Sequence, residues 1–314
     1  MRLWKKILIG IGVFVLVLAG LIVTFIGPWP TYSSSFEGTP YFNKAITAID
    51  ENVKLSKITD SPGRLKGGWG VASIVPAIGT PLAGYSARNS KPSTGVHDEL
   101  YVKALAFSDG EDTAVVAGAD MLLVPPNIAE PIREAVAKET PLKAGNLFFT
   151  ASHSHDGPGG LSPGLIAGIS FGKYDPKVPE MLIKSFTKAI VDAYKSMEPA
   201  KLAHGKIDAP QFIHNRTREA PCDTQLSWLV VEKDSGKRCY CVSYSAHPTC
   251  LMTTTCNSRR NIPATSSEQS NRPRGPRASF LAARSAAWGR TRRMCPAAMT
   301  SRGARPWAKG WASW

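Results

Sequence analysis

Apolar positions along this chain fall into three regimes. From Ile7 to Gly27 they run for 21 residues without a charge. About 20 apolar residues suffice to cross a bilayer as a helix. From Gly68 to His247 short apolar runs alternate with stretches of helical period. From Arg259 the period of 2 or 3.6 is lost. The middle regime predicts the fold. A short helix is expected near residues 41–53. The segment GWGVASIVPAIGTPLAG, 68–84, reads as a strand followed by a Pro/Gly-rich turn. Residues 100–107 and 114–124 are two strands across the turn SDGEDT. Residues 128–138 form a helix entered through Pro125 and Pro126. The run NLFFTASHSH is a buried strand ending in a polar cluster, and residues 178–197 carry the clearest amphipathic helix. Residues 202–207, 228–232 and the run RCYCVSYSAH are further strands, the last entered through the turn DSGK. Strands mixed with helices predict an α/β fold of layered, mixed β-sheets with flanking helices, behind an N-terminal transmembrane helix.

The boundaries follow. Residues 1–28 are a cytoplasmic stub and membrane anchor, 29–66 a tether, 67–258 the main domain and 259–314 a tail. Arg2, Lys5 and Lys6 precede the apolar run, which keeps the N-terminus in the cytoplasm and puts the rest outside. The rival reading is a cleaved signal peptide. Its apolar core runs to about 7–15 residues before a small-x-small site. Here Leu18-Ala19-Gly20 sits in mid-run, so an uncleaved anchor is preferred. An extracytoplasmic domain permits disulfides. Five of the six cysteines lie in 222–256: Cys222, Cys239, Cys241, Cys250 and Cys256. Cys239 and Cys241 share one strand face and cannot bond each other. One bridge within this set is expected, with its pairing open.

The net charge of +14 would ordinarily suggest nucleic acid as a partner. It comes from the tail. Residues 257–314 hold 12 of the Lys and Arg and one acid, Glu268, leaving 26 basic and 23 acidic residues in 1–256. No nucleic-acid partner is expected. The tail reads as the right gene in the wrong frame. With each codon's third base joined to the next two, residues 283–291 can encode Ala-Val-Gly-Ser-Met-Gly-Pro-Asp, the second Gly being forced by the single codon of Trp288. The competing reading is a disordered basic tail.

Six histidines are present, and two places stand out. In FFTASHSHDGPGG, His153 and His155 are two apart at the end of a strand pattern, which projects both side chains to one face. Asp156 follows, then Gly157, Pro158, Gly159 and Gly160, a run that lets backbone approach a ligand. In VSYSAHPT, His247 ends another apolar strand. Strand ends are where α/β folds place function. A catalytic zinc takes three protein ligands and keeps one position open. The competing reading is a hydrogen-bonded histidine pair with no metal. Asp120 reads either as a support for the metal ligands or as a strand-end loop acid. His97 reads as a turn histidine, His204 and His214 as structural or surface groups.

The segments GWGVASIVPAIGTPLAGY, GVHDELYVKALAF, VVAGADMLLV, LFFTASHSHDGPGG, NRT and YSAHPT, in this order, resemble the N-terminal catalytic domain of neutral/alkaline non-lysosomal ceramidases. The resemblance covers residues 67–257. It implies an incomplete ceramidase-type domain and a zinc ion between His153 and His247. It gives His155 a catalytic role beside the metal, on the substrate oxyanion or in proton transfer. It also implies Arg216, in an Asn-Arg pair, and Gly159 as substrate-side residues. The implied substrate is a ceramide-like lipid, and the implied reaction is zinc-dependent cleavage of its N-acyl bond. Ser152, Ser154 and Asp156 depart from the family's Thr, Thr and Ser, which bears on the substrate pocket. The family's remaining zinc ligands, a Glu and a Tyr, and its active-site Ser have no in-frame counterpart. The shifted-frame Gly-Ser-Met-Gly-Pro falls where the family has that serine. Alternative readings are a zinc hydrolase of another amide or ester, or a non-catalytic membrane-tethered fragment.

Overall fold

The computed structural model describes residues 3–25, 27, 36–55, 65–215, 219, 221–247, 257–258, 278–284 and 289–290. They fall in two units, 1–60 and 61–314, each taken by itself. In the first, α1 spans Leu3–Phe25 with no buried residue. Leu, Ile, Val and Phe cover every side of it. Among the described residues it is the one helix long and apolar enough to cross a membrane, a property that a signal sequence near the N-terminus shares. The second helix, α2, spans Pro40–Leu55, close to the predicted 41–53. Proline at its first position gives up an N–H that has no intrahelical partner there.

The second unit contains β1 (Lys66–Ser73), β2 (Gly95–Val96), β3 (Tyr101–Ser108), β4 (Thr113–Ala119), α3 (Pro126–Glu139), β5 (Leu147–Ala151), α4 (Leu165–Phe171) and α5 (Lys177–Lys195). It continues with β6 (Glu198–Asp208), β7 (His214–Asn215), β8 (Gln225–Lys233), β9 (Arg238–Tyr244), β10 (Asn257–Ser258), β11 (Ala278–Arg284) and β12 (Gly289–Arg290). Eight strands form one mixed sheet in the order β11-β9-β8-β6-β1-β3-β4-β5. The pairs β4–β5 and β11–β9 are parallel. The short strands pair separately, β10 with β2 and β12 with β7.

Two cores follow from the alternation of side chains. Along β3, Val102, Ala104 and Ala106 join the larger core, while Leu105 faces the other way into a second one. The larger core is closed by α5, which lies across β1, β3 and β4, with α3 packed on α5. On α5 the buried set Val178, Leu182, Phe186, Ala189, Ile190 and Ala193 recurs every three or four residues, as a one-faced helix requires. The helix rests directly on β1. A Cβ added at Gly68 would lie 2.2 Å from Ala193 O, and one at Gly70 would lie 2.2 Å from Ala189 O. The second core gathers Leu105, Val231 and Cys239, with Trp69, Phe107, Val116, Leu202 and Leu229 around them.

The seam between the two halves of the sheet is narrow. β1 and β6 pair only at Lys66↔Pro199 and Gly67↔Glu198. Beyond it the second half folds back, so that β11 approaches β3, β4 and β5. The layers are helix, sheet, sheet. Where no element is expected from the pattern, 278–284 is a strand on β9. Its largely apolar run ASFLAAR takes up the backbone groups that β9 leaves unpaired at its edge. The rest of the tail lies outside the described residues, apart from the two-residue strand β12. Cys222, Cys239 and Cys241 are free thiols. Burial pushes the Cys239 thiol up to about 12 and Cys241 to about 11. Cys250 and Cys256, the other members of the expected bridging set, lie outside the described residues.

Candidate metal centre

The parallel strands β4 and β5 end side by side, and the chain beyond them stays paired. Ser152 N–H donates to Ala119 O at 2.9 Å, and Ser154 N–H to Met121 O at 3.2 Å. Between them His153 takes φ 60, a left-handed conformation uncommon outside glycine. Its Nδ1 lies 2.9 Å from Leu122 O. A carbonyl only accepts, so Nδ1 carries the proton and Nε2 keeps its lone pair. His155 follows, 8 % exposed, with its ring 5.0 Å from that of His153. This corrects the expected geometry. β5 stops at Ala151, so strand alternation does not pair the two rings. A loop with one left-handed residue does so.

His247 arrives from the other half of the sheet. Where the chain leaves β9, Tyr244 Oη donates to Ala209 O at 2.6 Å and Ser245 Oγ donates to Asp223 Oδ2 at 2.7 Å. Those two bonds fix the approach to His247. The Ser245 bond, and after it the Gln225 N–H, also holds the Asp223 carboxyl below its ordinary range. The His247 ring lies 4.9 Å from His153 and 4.8 Å from His155. Its Nε2 is 2.8 Å from His155 Nε2, so one of these nitrogens donates to the other. β5 and β9 are far apart in strand order, and the folded-back sheet brings their ends together.

Burial drives the His155 pKa from 6.5 down to about 3. The positive charges that His247, His153 and Arg88 can carry push it the same way, and the nearby Gly84 backbone pushes back. His155 is therefore neutral at physiological pH. The folded state binds fewer protons here than the unfolded state, whose histidine titrates near 6.5. Stability from this group is thus present above 6.5 and lost as pH falls from there toward 3. Chemical denaturation of the metal-free chain from pH 7.5 to 4 is expected to show falling stability over that window. His155→Gln is expected to flatten the slope, and an unchanged slope in that variant contradicts the assignment.

An unprotonated imidazole nitrogen is the ligand form that a metal needs, and the donor atoms of His153, His155 and His247 all lie within 4.8 Å of one another. Among the described residues this is the cluster that could hold a metal ion. With His153 Nδ1 committed to Leu122 O, its Nε2 is presented in the tautomer a metal takes. The donor set fits an ion such as zinc, which is commonly bound by imidazole nitrogen.

The other residues singled out in the sequence have plainer settings. Gly159 donates its N–H to Pro81 O at 2.8 Å. A Cβ there would lie 2.4 Å from Phe171 O, so loop packing accounts for the glycine. Arg216 lies outside the described residues. Asp120 Oδ2 accepts from Tyr101 N–H at 3.0 Å, as a strand-end acid does. His97 pairs with Asp98 on the exposed surface, and His204 is exposed on β6. Sequence reasoning missed Arg88, Asp223 and Ser245. Arg88 and Asp223 are far from the histidines in the chain, and Ser245, two residues before His247, carries no spacing that signals its bond to Asp223.

The family model of the N-terminal part of neutral/alkaline non-lysosomal ceramidases matches residues 67–226. The chain belongs to this ceramidase family. Neutral ceramidase A of Dictyostelium discoideum is 26 % identical over 160 residues, covering 49 % of this chain and 22 % of that protein. The neutral ceramidase of Mycobacterium tuberculosis is 24 % identical over 149 residues, covering 45 % and 23 %. The chain thus matches less than a quarter of the length of either relative. Among solved structures, neutral ceramidase from Pseudomonas aeruginosa superposes with a TM-score of 0.64 at 18 % identity, over 72 % of this chain and 39 % of that one. A ceramidase complexed with C2 gives 0.63 at 18 %, over 71 % and 37 %. These two likenesses establish a shared fold.

Proposed function

We propose that the gene encodes a membrane-anchored, zinc-dependent amide hydrolase that cleaves the N-acyl bond of ceramide-like lipids to a fatty acid and a sphingoid amine. The observation that carries this reading is the convergence of His153, His155 and His247 at strand ends in a chain of this ceramidase family. His153 and His247 hold the zinc. The ion would polarise the scissile carbonyl and make a nucleophile available at neutral pH. His155 is kept neutral by burial, so it can take a proton at Nε2 and return it to the leaving amine. Arg216 and Gly159 are the substrate-side residues of this proposal. α1 is the anchor, with the histidines outside the cell membrane.

The 314-residue chain itself is proposed to be inactive. It supplies two of the proposed zinc ligands and no in-frame counterpart of the family's active-site serine, and its tail from about residue 259 is read as out of frame. Restoring one base near codon 258 is expected to extend the reading frame well past codon 314. The longer product is expected to hydrolyse ceramide, to lose that activity to a zinc chelator and to regain it on adding zinc. Stop codons in the alternative frame within 259–314 overturn the frame reading. A frame-restored product that binds zinc but leaves ceramide intact overturns the substrate.

A further inference from the structure

We propose that Arg88 and Asp156 form a buried clamp that positions His155, so that its ring is presented to His153 and His247 in one orientation. The role given to His155 rests on the functional reading above; the clamp itself is a matter of geometry. Arg88 is 3 % exposed and Asp156 0 %. The guanidinium Nη2 pairs with Asp156 Oδ1. Its Nη1 donates to His155 O and, at 3.2 Å, to Ala83 O. One rigid fork therefore holds the carbonyl of His155, the carboxylate of the next residue and the backbone of the loop opposite. The same guanidinium lies 4.8 Å from the Tyr85 ring, and Tyr85 lies 4.6 Å from the His155 ring. Gly84, at φ +105, completes the slot, since a Cβ there would lie 2.6 Å from His155 Nδ1. The imidazole is thus enclosed between Gly84 and Tyr85, while Arg88 fixes its backbone and backs Tyr85.

The clamp also accounts for Asp156, which departs from the family's serine. An acid buried alone would be strongly destabilising, and its carboxylate is committed to Arg88. A lysine could supply the charge but not three directed contacts from one plane, so Arg is required by geometry. Arg88 is a positioning residue: nothing places it on substrate, and its effect reaches the cluster through His155 and Tyr85.

The test uses the full 314-residue chain without metal, labelled with 15N, and records the imidazole resonances in long-range 1H–15N spectra. Wild-type His155 is expected to give one sharp, neutral tautomer. Arg88→Lys keeps the charge and is expected to broaden or average the His155 signals while leaving those of His97 unchanged. Zinc affinity, measured alongside by chelator competition, is expected to stay close to wild type, because His153 and His247 are the proposed ligands and the clamp acts on His155. If Arg88→Lys fails to fold, the double variant Arg88→Met/Asp156→Ser decides by the same readout, because it leaves no unpaired buried charge. Wild-type His155 resonances in whichever variant folds overturn the proposal. Absence of zinc binding by the wild-type chain would defeat the metal reading instead, and the resonance test of the clamp would still stand.

Discussion

Gly70→Val is expected to cost this domain its fold. The first atom of the new side chain would lie 2.2 Å from Ala189 O, 2.8 Å from Asp192 Cβ and 2.9 Å from Ala193 N. Two of these are backbone atoms of the helix α5 and cannot rotate away. The helix α5 would have to lift off β1, and Leu182, Phe186 and Ile190, all fully buried, would lose their cover. Overpacking of a core costs about 1–3 kcal/mol where side chains can adjust. Here the obstacle is backbone, so the loss is expected at or above about 3 kcal/mol. Gly145→Ala is the control, since a Cβ there meets nothing within 4 Å. Urea denaturation of both variants checks this. A wild-type midpoint for Gly70→Val would mean that α5 does not sit on β1 as described.

His153→Ala is expected to lower zinc affinity by more than a hundredfold. Removing a group that merely orients a ligand costs about 10–100-fold, and this substitution removes a donor. It also removes the left-handed residue whose Nδ1 is fixed on Leu122 O. A glycine in the same place separates the two effects. His153→Gly keeps the backbone conformation accessible and is expected to match the Ala variant in zinc affinity while being at least as stable. Zinc binding within threefold of wild type in both variants would show that His153 is not a ligand.

Much of the scaffold was legible in the sequence because its pattern has a physical period. The amphipathic spacing from Val178 to Ala193 requires a one-sided helix. The apolar alternation around Leu105 requires a strand between two cores. His153, His155 and His247 were legible as residue types beside glycines and strand ends. Their geometry was not. The left-handed turn at His153 leaves no mark in composition, and the fold-back that carries His247 across depends on a two-residue seam between β1 and β6. Arg88 was invisible for a related reason: it meets Asp156 from 68 positions away, a distance over which no local spacing carries information. The strand at 278–284 shows the limit from the other side, since a sheet edge can recruit backbone that has no pattern of its own.

X-ray absorption at the zinc edge tests the central claim most directly. The 314-residue chain, loaded with zinc and freed of excess, is expected to show nitrogen neighbours with the multiple scattering of imidazole, at least two per zinc. That signal is expected to weaken in His247→Ala. A chain that retains no zinc, or a zinc surrounded only by oxygen with no imidazole signature, would contradict the account.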